Sequence, residues 1–190
     1  DFTNTEPNSF RLAQLRVGDF NNFVLSETME EILINLNDAR ITTFFRPFSN
    51  STSNKFNGLI NGIDASSTSI VLSDYSLAGN AFREDTSSLD ANFMTAWETS
   101  FLLAEAGEKG LINANAETLY NLGVTQAFDY WNTNLPKNYL TGNANFNVIG
   151  KTPLEQIITQ KWIASVIYGY EGWIEYRRTG FPALKKFQQV

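Results

Sequence analysis

The side chains that could do chemistry in this sequence are carboxylates and guanidiniums gathered late in the chain. Glu105 with Glu108, and Glu171 with Glu175, sit at spacings that place each pair on one helix face. A glycosidase would need two such groups across a cleft, about 5 to 10 Å apart depending on mechanism. Acidic helices show such pairs routinely, solvated or ion-paired, so no catalytic residue is assigned. Arg177-Arg178 follows Glu171 and Glu175 within two turns. Two guanidiniums could grip an anion. The preferred reading is a structural ion-pair cluster of Glu105, Glu171, Glu175, Arg177 and Arg178. Glu ahead of Arg on one helix supports that helix, and no glycine-rich phosphate cradle accompanies the pair.

What is missing narrows the chemistry further. The 190 residues include neither His nor Cys. That excludes a Ser-His-Asp relay, a thiolate nucleophile, and imidazole or thiolate metal sites. No metal and no cofactor is expected. A net charge of −6, from 14 Lys+Arg against 20 Asp+Glu, argues against a nucleic-acid binder, which needs a clustered basic face. No apolar run is long enough to span a bilayer. Carboxylate chemistry and binding remain.

Binding has its own candidates. Phe44, Phe45, Phe48, Phe56, Tyr75, Phe82 and Tyr139 lie outside the clearest helices, among Asn, Ser and Thr. An aromatic face beside amide and hydroxyl groups suits a sugar, whose C–H face stacks while its hydroxyls hydrogen-bond. Phe48, Phe56, Tyr75, Phe82 and Tyr139 are the ligand-contact candidates. The competing role is anchoring, in which loop aromatics pin a long loop to the body. Trp97, Trp131 and Trp162 fall at core-type helix positions and are expected to pack.

The elements that must position these residues are mostly helices. Met29, Ile32, Leu33 and Leu36 follow the 3.6-residue period and predict a helix over 27–38, capped by Ser26 or by Thr28 with Glu31. Residues 48–89 turn rich in Ser, Thr, Asn and Gly, and read as a long loop-rich excursion with at most a strand or two. Phe93, Trp97, Phe101 and Ala104 predict a helix over 90–109. Tyr120, Gly123, Val124, Ala127, Phe128 and Trp131 predict another over 115–134. The short link makes these two antiparallel neighbours. Thr152-Pro153-Leu154-Glu155 joins a capping box to a proline at the first helical position. The helix it opens runs towards Tyr168, and a further piece spans Gly172 to Thr179. The fold class is therefore mainly α, with tetratricopeptide-like antiparallel helix hairpins and a long loop-rich insertion. A single domain is expected, read as a helix segment (1–47), a polar excursion (48–89) and a helical core (90–190) that is long enough to bury itself without staples.

Several strings are more specific. Phe101-Leu102-Leu103-Ala104-Glu105-Ala106 is followed by Glu108-Lys109-Gly110, Ala116-Glu117-Thr118-Leu119-Tyr120-Asn121 and Gly123-Val124. Then Glu155-Gln156-Ile157-Ile158-Thr159-Gln160-Lys161-Trp162 leads to Gly172-Trp173-Ile174-Glu175-Tyr176-Arg177-Arg178-Thr179-Gly180. With Ser26-Glu27-Thr28 and Asn37-Asp38-Ala39-Arg40 upstream, this order resembles the C-terminal portion of SusD/RagB-type outer-membrane proteins. The resemblance implies a helical, tetratricopeptide-like scaffold decorated by ligand-holding loops. It implies a non-enzymatic, surface-exposed binding component of a nutrient-uptake system. The partner would be a SusC-like TonB-dependent outer-membrane transporter, and the cargo a glycan or other nutrient. Contact with the membrane would come only through a lipid anchor absent from this chain. At 190 residues and without a lipidated Cys, the chain is expected to be a C-terminal fragment of a larger protein. The family's ligand residues do not transfer by motif.

Three functions follow as expectations. The first is nutrient binding, with oligosaccharide the expected ligand class and affinity in the millimolar to micromolar range, about −4 to −8 kcal/mol. The second is a helical module that binds protein only. The third is a carboxylate hydrolase built on Glu105 or Glu175.

Overall fold

The computed structural model describes residues 8, 23–49, 51–63, 69–79, 82 and 89–185. The chain divides into two compact units. Unit 1 comprises Asp1–Ile34, Arg40–Asn92 and Lys185–Val190, and unit 2 comprises Asn35–Ala39 and Phe93–Leu184.

Helix α1 spans Glu27–Leu36. Ser26 is its cap: the Ser26 hydroxyl accepts a hydrogen bond from Met29 N at 3.3 Å. Asn37, at φ 54, ends the helix in the left-handed region that asparagine tolerates. A short helix α2, Ile41–Phe44, follows. No strand forms among the described residues. Isolated bridges instead pair Val24 with Leu77, Ser26 with Leu59, and Phe45 with Ala78. Leu25, Met29, Leu33, Phe44 and Phe82 are buried in unit 1. Gly58 is required where it stands, because an added Cβ would lie 2.5 Å from Glu27 N.

Unit 2 is built from four helices: α3 (Ala96–Glu108), α4 (Ala116–Tyr130), α5 (Pro153–Ala164) and α6 (Gly169–Thr179). Thr95, Asn115 and Thr152 each cap a helix by accepting from the backbone N–H three residues on. Because α3 enters at Thr95, Phe93 falls outside its period. The residue expected on the inner face is fully exposed. Helices α3 and α4 run antiparallel. Trp97, near the start of one, meets Tyr130 at the end of the other with ring centroids 6.3 Å apart, and Phe101 meets Tyr120 at 6.3 Å. Gly123 makes the approach possible, since a Cβ there would sit 2.9 Å from the Phe101 ring.

Helix α5 is buried nearly all round, from Gln156 to Ala164. It therefore carries polar side chains inward, and those must find partners. Gln156 Nε2 donates to Asn143 O at 2.9 Å and Asn145 O at 2.7 Å. Trp131 Nε1 donates to Ala164 O at 2.9 Å, and the Tyr120 hydroxyl donates to Ala144 O at 2.7 Å. These bonds pin the segment after α4 to the helices. Tyr139, Ala144 and Phe146 of that segment are buried rather than offered to solvent. The architecture is mainly α, with tetratricopeptide-like antiparallel hairpins. None of the described helices is long and apolar enough to cross a membrane.

Candidate functional site: a neutralised carboxylate cluster and a loop carrying aromatic rings

The late carboxylates and guanidiniums meet where α3, α5 and α6 converge. Arg178 of α6 holds Glu105 of α3 with two prongs, Nη1 to Oε1 and Nη2 to Oε2, the latter at 2.7 Å. The same Nη2 donates to Glu175 Oε2 at 2.5 Å. Lys161 Nζ, from α5, donates to the other Glu175 oxygen at 2.7 Å. Lys109 Nζ closes the chain on Glu105 Oε1 at 2.5 Å. Glu105, Glu175 and Lys161 are buried, so each charge needs a partner and has one. Burial alone would push the Glu105 carboxyl up. The hydrogen bonds from Arg178 and Lys109, with the two cations' fields, outweigh it and hold the group down at about 2. The Arg178 guanidinium is correspondingly held above its ordinary value by its bonds to Glu105 and Glu175, against the opposing effect of burial.

Three of the five residues expected in this cluster come together: Glu105, Glu175 and Arg178. Glu171 forms no ion pair among the described residues. Arg177 points the other way, with its guanidinium 5.5 Å from the centre of the exposed Trp173 ring. Helix geometry accounts for Arg177, which lies about 160° around the axis from Glu175. Glu171 lies on the same face as Glu175 and Arg178, one turn earlier, and stays outside the cluster. Lys161 and Lys109 were not singled out in the sequence. Lys161 did carry a signal, being a lone cation inside the apolar run Ile157, Ile158, Trp162, Ile163.

Two of the aromatic ligand candidates are interior. Phe82 is buried and stacks on Phe44 with centroids 6.1 Å apart. Tyr139 is 3% exposed. Its hydroxyl donates to Asp38 Oδ2 at 2.5 Å and accepts from Gln160 Nε2 at 2.8 Å. Both rings therefore anchor their segments. Phe48, Phe56 and Tyr75 are half-buried on unit 1. The residues that follow Phe56 and Tyr75, Asn57 and Ser76, are hydrogen-bonded to each other. Asn57 N donates to the Ser76 hydroxyl at 3.0 Å, Ser76 N to Asn57 O at 2.8 Å, and Asn57 Nδ2 to Asp74 O at 2.7 Å. The two rings thus precede a cross-linked pair of residues, in a setting of amides, hydroxyls and carbonyls. Part-exposed rings over such groups can stack on a pyranose and hydrogen-bond its hydroxyls.

Comparison with known proteins agrees with this architecture. The chain is similar to a SusD homologue from Bacteroides vulgatus, at 28% identity and TM-score 0.70, over 87% of this chain and 39% of that one. It is similar to a chitin-binding SusD homologue from Flavobacterium johnsoniae at 29% identity and TM-score 0.69, over 85% and 38%. A SusD homologue from Bacteroides uniformis matches at 28% identity and TM-score 0.67, over 83% and 37%. The chain thus spans about two fifths of the length of these solved relatives. No curated protein matches it. A family model described as "Starch-binding associating with outer membrane" matches residues 1–189. With the helical scaffold, the capped hairpins and this match in agreement, the chain belongs to the SusD-like family.

Proposed function

We propose that this chain is part of a non-enzymatic glycan-binding component of an outer-membrane nutrient-uptake system. The observation that carries the reading is the family match over 1–189, whose description couples starch binding with the outer membrane. The similarity to a chitin-binding relative supports the same ligand class. Phe56 and Tyr75, half-buried and each next in sequence to the hydrogen-bonded residues Asn57 and Ser76, are the rings this reading assigns to the sugar. The carboxylate cluster speaks for binding over turnover. Glu105 and Glu175 are both engaged by cations, Glu105 by Arg178 and Lys109 and Glu175 by Arg178 and Lys161. That is the arrangement of a structural ion-pair network rather than of a free acid–base pair. In the same reading the full-length protein is a surface lipoprotein that serves a SusC-like TonB-dependent transporter.

Calorimetry with starch-derived and chitin-derived oligosaccharides tests the reading. Heat of binding that weakens on Phe56→Ala and Tyr75→Ala supports it, and silence across the panel with folded protein removes the sugar. Turnover of a chromogenic glycoside that disappears on Glu105→Gln or Glu175→Gln would replace binding with hydrolysis.

A protein-only interaction module is the second reading, favoured by one observation. Helix α6 exposes Tyr170, Trp173 and Ile174 together, a large apolar surface of the kind protein partners cover. Pull-down of a barrel transporter with no effect of sugars on the melting temperature would favour it.

A further inference from the structure

The dipeptide Asn-Gly occurs twice within six residues, at Asn57-Gly58 and Asn61-Gly62, and the fold treats the two copies oppositely. Gly58 is buried, its Cα against the start of α1. Its N–H donates to Glu30 Oε2 at 2.6 Å, and the preceding side chain is held by its bond to Asp74 O at 2.7 Å. Leu59 N donates to Leu25 O at 2.8 Å and Leu59 O accepts from Glu27 N at 2.9 Å, which fixes the chain on the far side as well. Beyond Leu59 the anchoring stops. Asn61 and Gly62 form an exposed turn, with Gly62 at φ 78. Neither the Asn61 side chain nor the Gly62 N–H forms a hydrogen bond among the described residues.

We propose that Asn61 is a site of spontaneous deamidation, and that Asn57, with the same following residue, is kept intact by the Glu30 clasp. The reaction needs only water. The Gly62 nitrogen gives up its proton to solvent and attacks the Asn61 side-chain carbonyl carbon. A new N–C bond forms, the side-chain nitrogen leaves as ammonia, and a five-membered imide results. Water then adds to either imide carbonyl, the C–N bond breaks, and the ring nitrogen regains a proton. The product at position 61 is aspartate, or isoaspartate with one extra backbone carbon. Glycine permits the attack because no Cβ hinders its nitrogen and the turn can swing through the required angles. At Asn57 the attacking nitrogen is engaged by a carboxylate, and the backbone on both sides is tied down. The consequence is an age-dependent negative charge on the free arc of this loop, five residues from Phe56.

The test is peptide mapping of the folded chain held in mildly alkaline buffer, following the mass gain of Asn to Asp, with an isoaspartate-specific methyltransferase as a second readout. Position 61 is expected to convert roughly tenfold or more faster than position 57, the factor that one charge-assisted hydrogen bond supplies. In urea the two rates should converge. Glu30→Ala should raise conversion at 57 and leave 61 unchanged, with circular dichroism confirming the fold. Should that variant unfold, the comparison of folded and urea-treated wild-type chain decides alone. Equal rates in the folded chain, faster loss at 57, or a ratio that persists in urea would overturn the proposal.

Discussion

Tyr139 and Asp38 are 101 residues apart in sequence and joined by one buried hydrogen bond of 2.5 Å. Gln160 Nε2 completes the group by donating to the same phenol oxygen at 2.8 Å. Removing the hydroxyl with Tyr139→Phe deprives a buried carboxylate and a buried amide of one partner each. The expected loss is about 1–3 kcal/mol in urea unfolding, with the m-value unchanged.

The carboxylate cluster makes stability depend on acid. Glu105 sits at about 2 when folded against an ordinary 4.5. A depressed carboxyl contributes fully above its unfolded value and loses that contribution as pH falls through the folded one. The decline should therefore run from about pH 4.5 down to about 2, with an upper limit of roughly 3 kcal/mol. Part-exposed Arg178 and Lys109 reduce that figure through solvent screening. Thermal melts across this range check it, and Glu105→Gln should flatten the profile.

Removing one partner of the buried Lys161–Glu175 pair should cost more than removing both. Lys161→Met leaves the buried Glu175 without its α5 partner, and about 3–5 kcal/mol is expected. The double variant Lys161→Met with Glu175→Leu should recover much of that loss. A double-mutant cycle in urea measures the difference.

Packing at the α3–α4 seam is equally testable. Gly123→Ala would place a methyl 2.9 Å from the Phe101 ring. About 1–3 kcal/mol of destabilisation is expected from overpacking. Phe101→Leu in the same chain should relieve part of it.

Each ring on the loop should matter to a glycan by a modest amount. Loss of one stacking partner in Phe56→Ala or Tyr75→Ala is expected to weaken binding by roughly threefold to tenfold. Circular dichroism should show no change, because both rings are only half-buried.

The helices were legible because their signals are local. Thr152 with Pro153 and Glu155, Asn115 ahead of α4, and Gly180 after α6 each mark a terminus by their own chemistry. The α3–α4 hairpin followed from periodicity and a short link. The tertiary consequences were not legible. Nothing near Tyr139 in sequence points to Asp38, and an aromatic among asparagines reads the same whether it faces solvent or the core. In helix α5, Lys161 stands among apolar residues, but its partner Glu175 lies on another helix, and no local pattern joins the two. The placing of α6 is the plainest case. Its only buried residue is Glu175, so hydrophobic patterning points to the wrong face.

That last feature bears on how α6 is indexed on its neighbours. Greasy contacts tolerate sliding, since one methyl substitutes for another at little loss. Paired charges do not: moving α6 by a single residue would carry Glu175 and Arg178 about 100° around the axis, taking from Lys161 its α6 partner and leaving Glu105 with Lys109 alone. The closing helix is keyed, in the manner of a tooth in a lock, to a single seating.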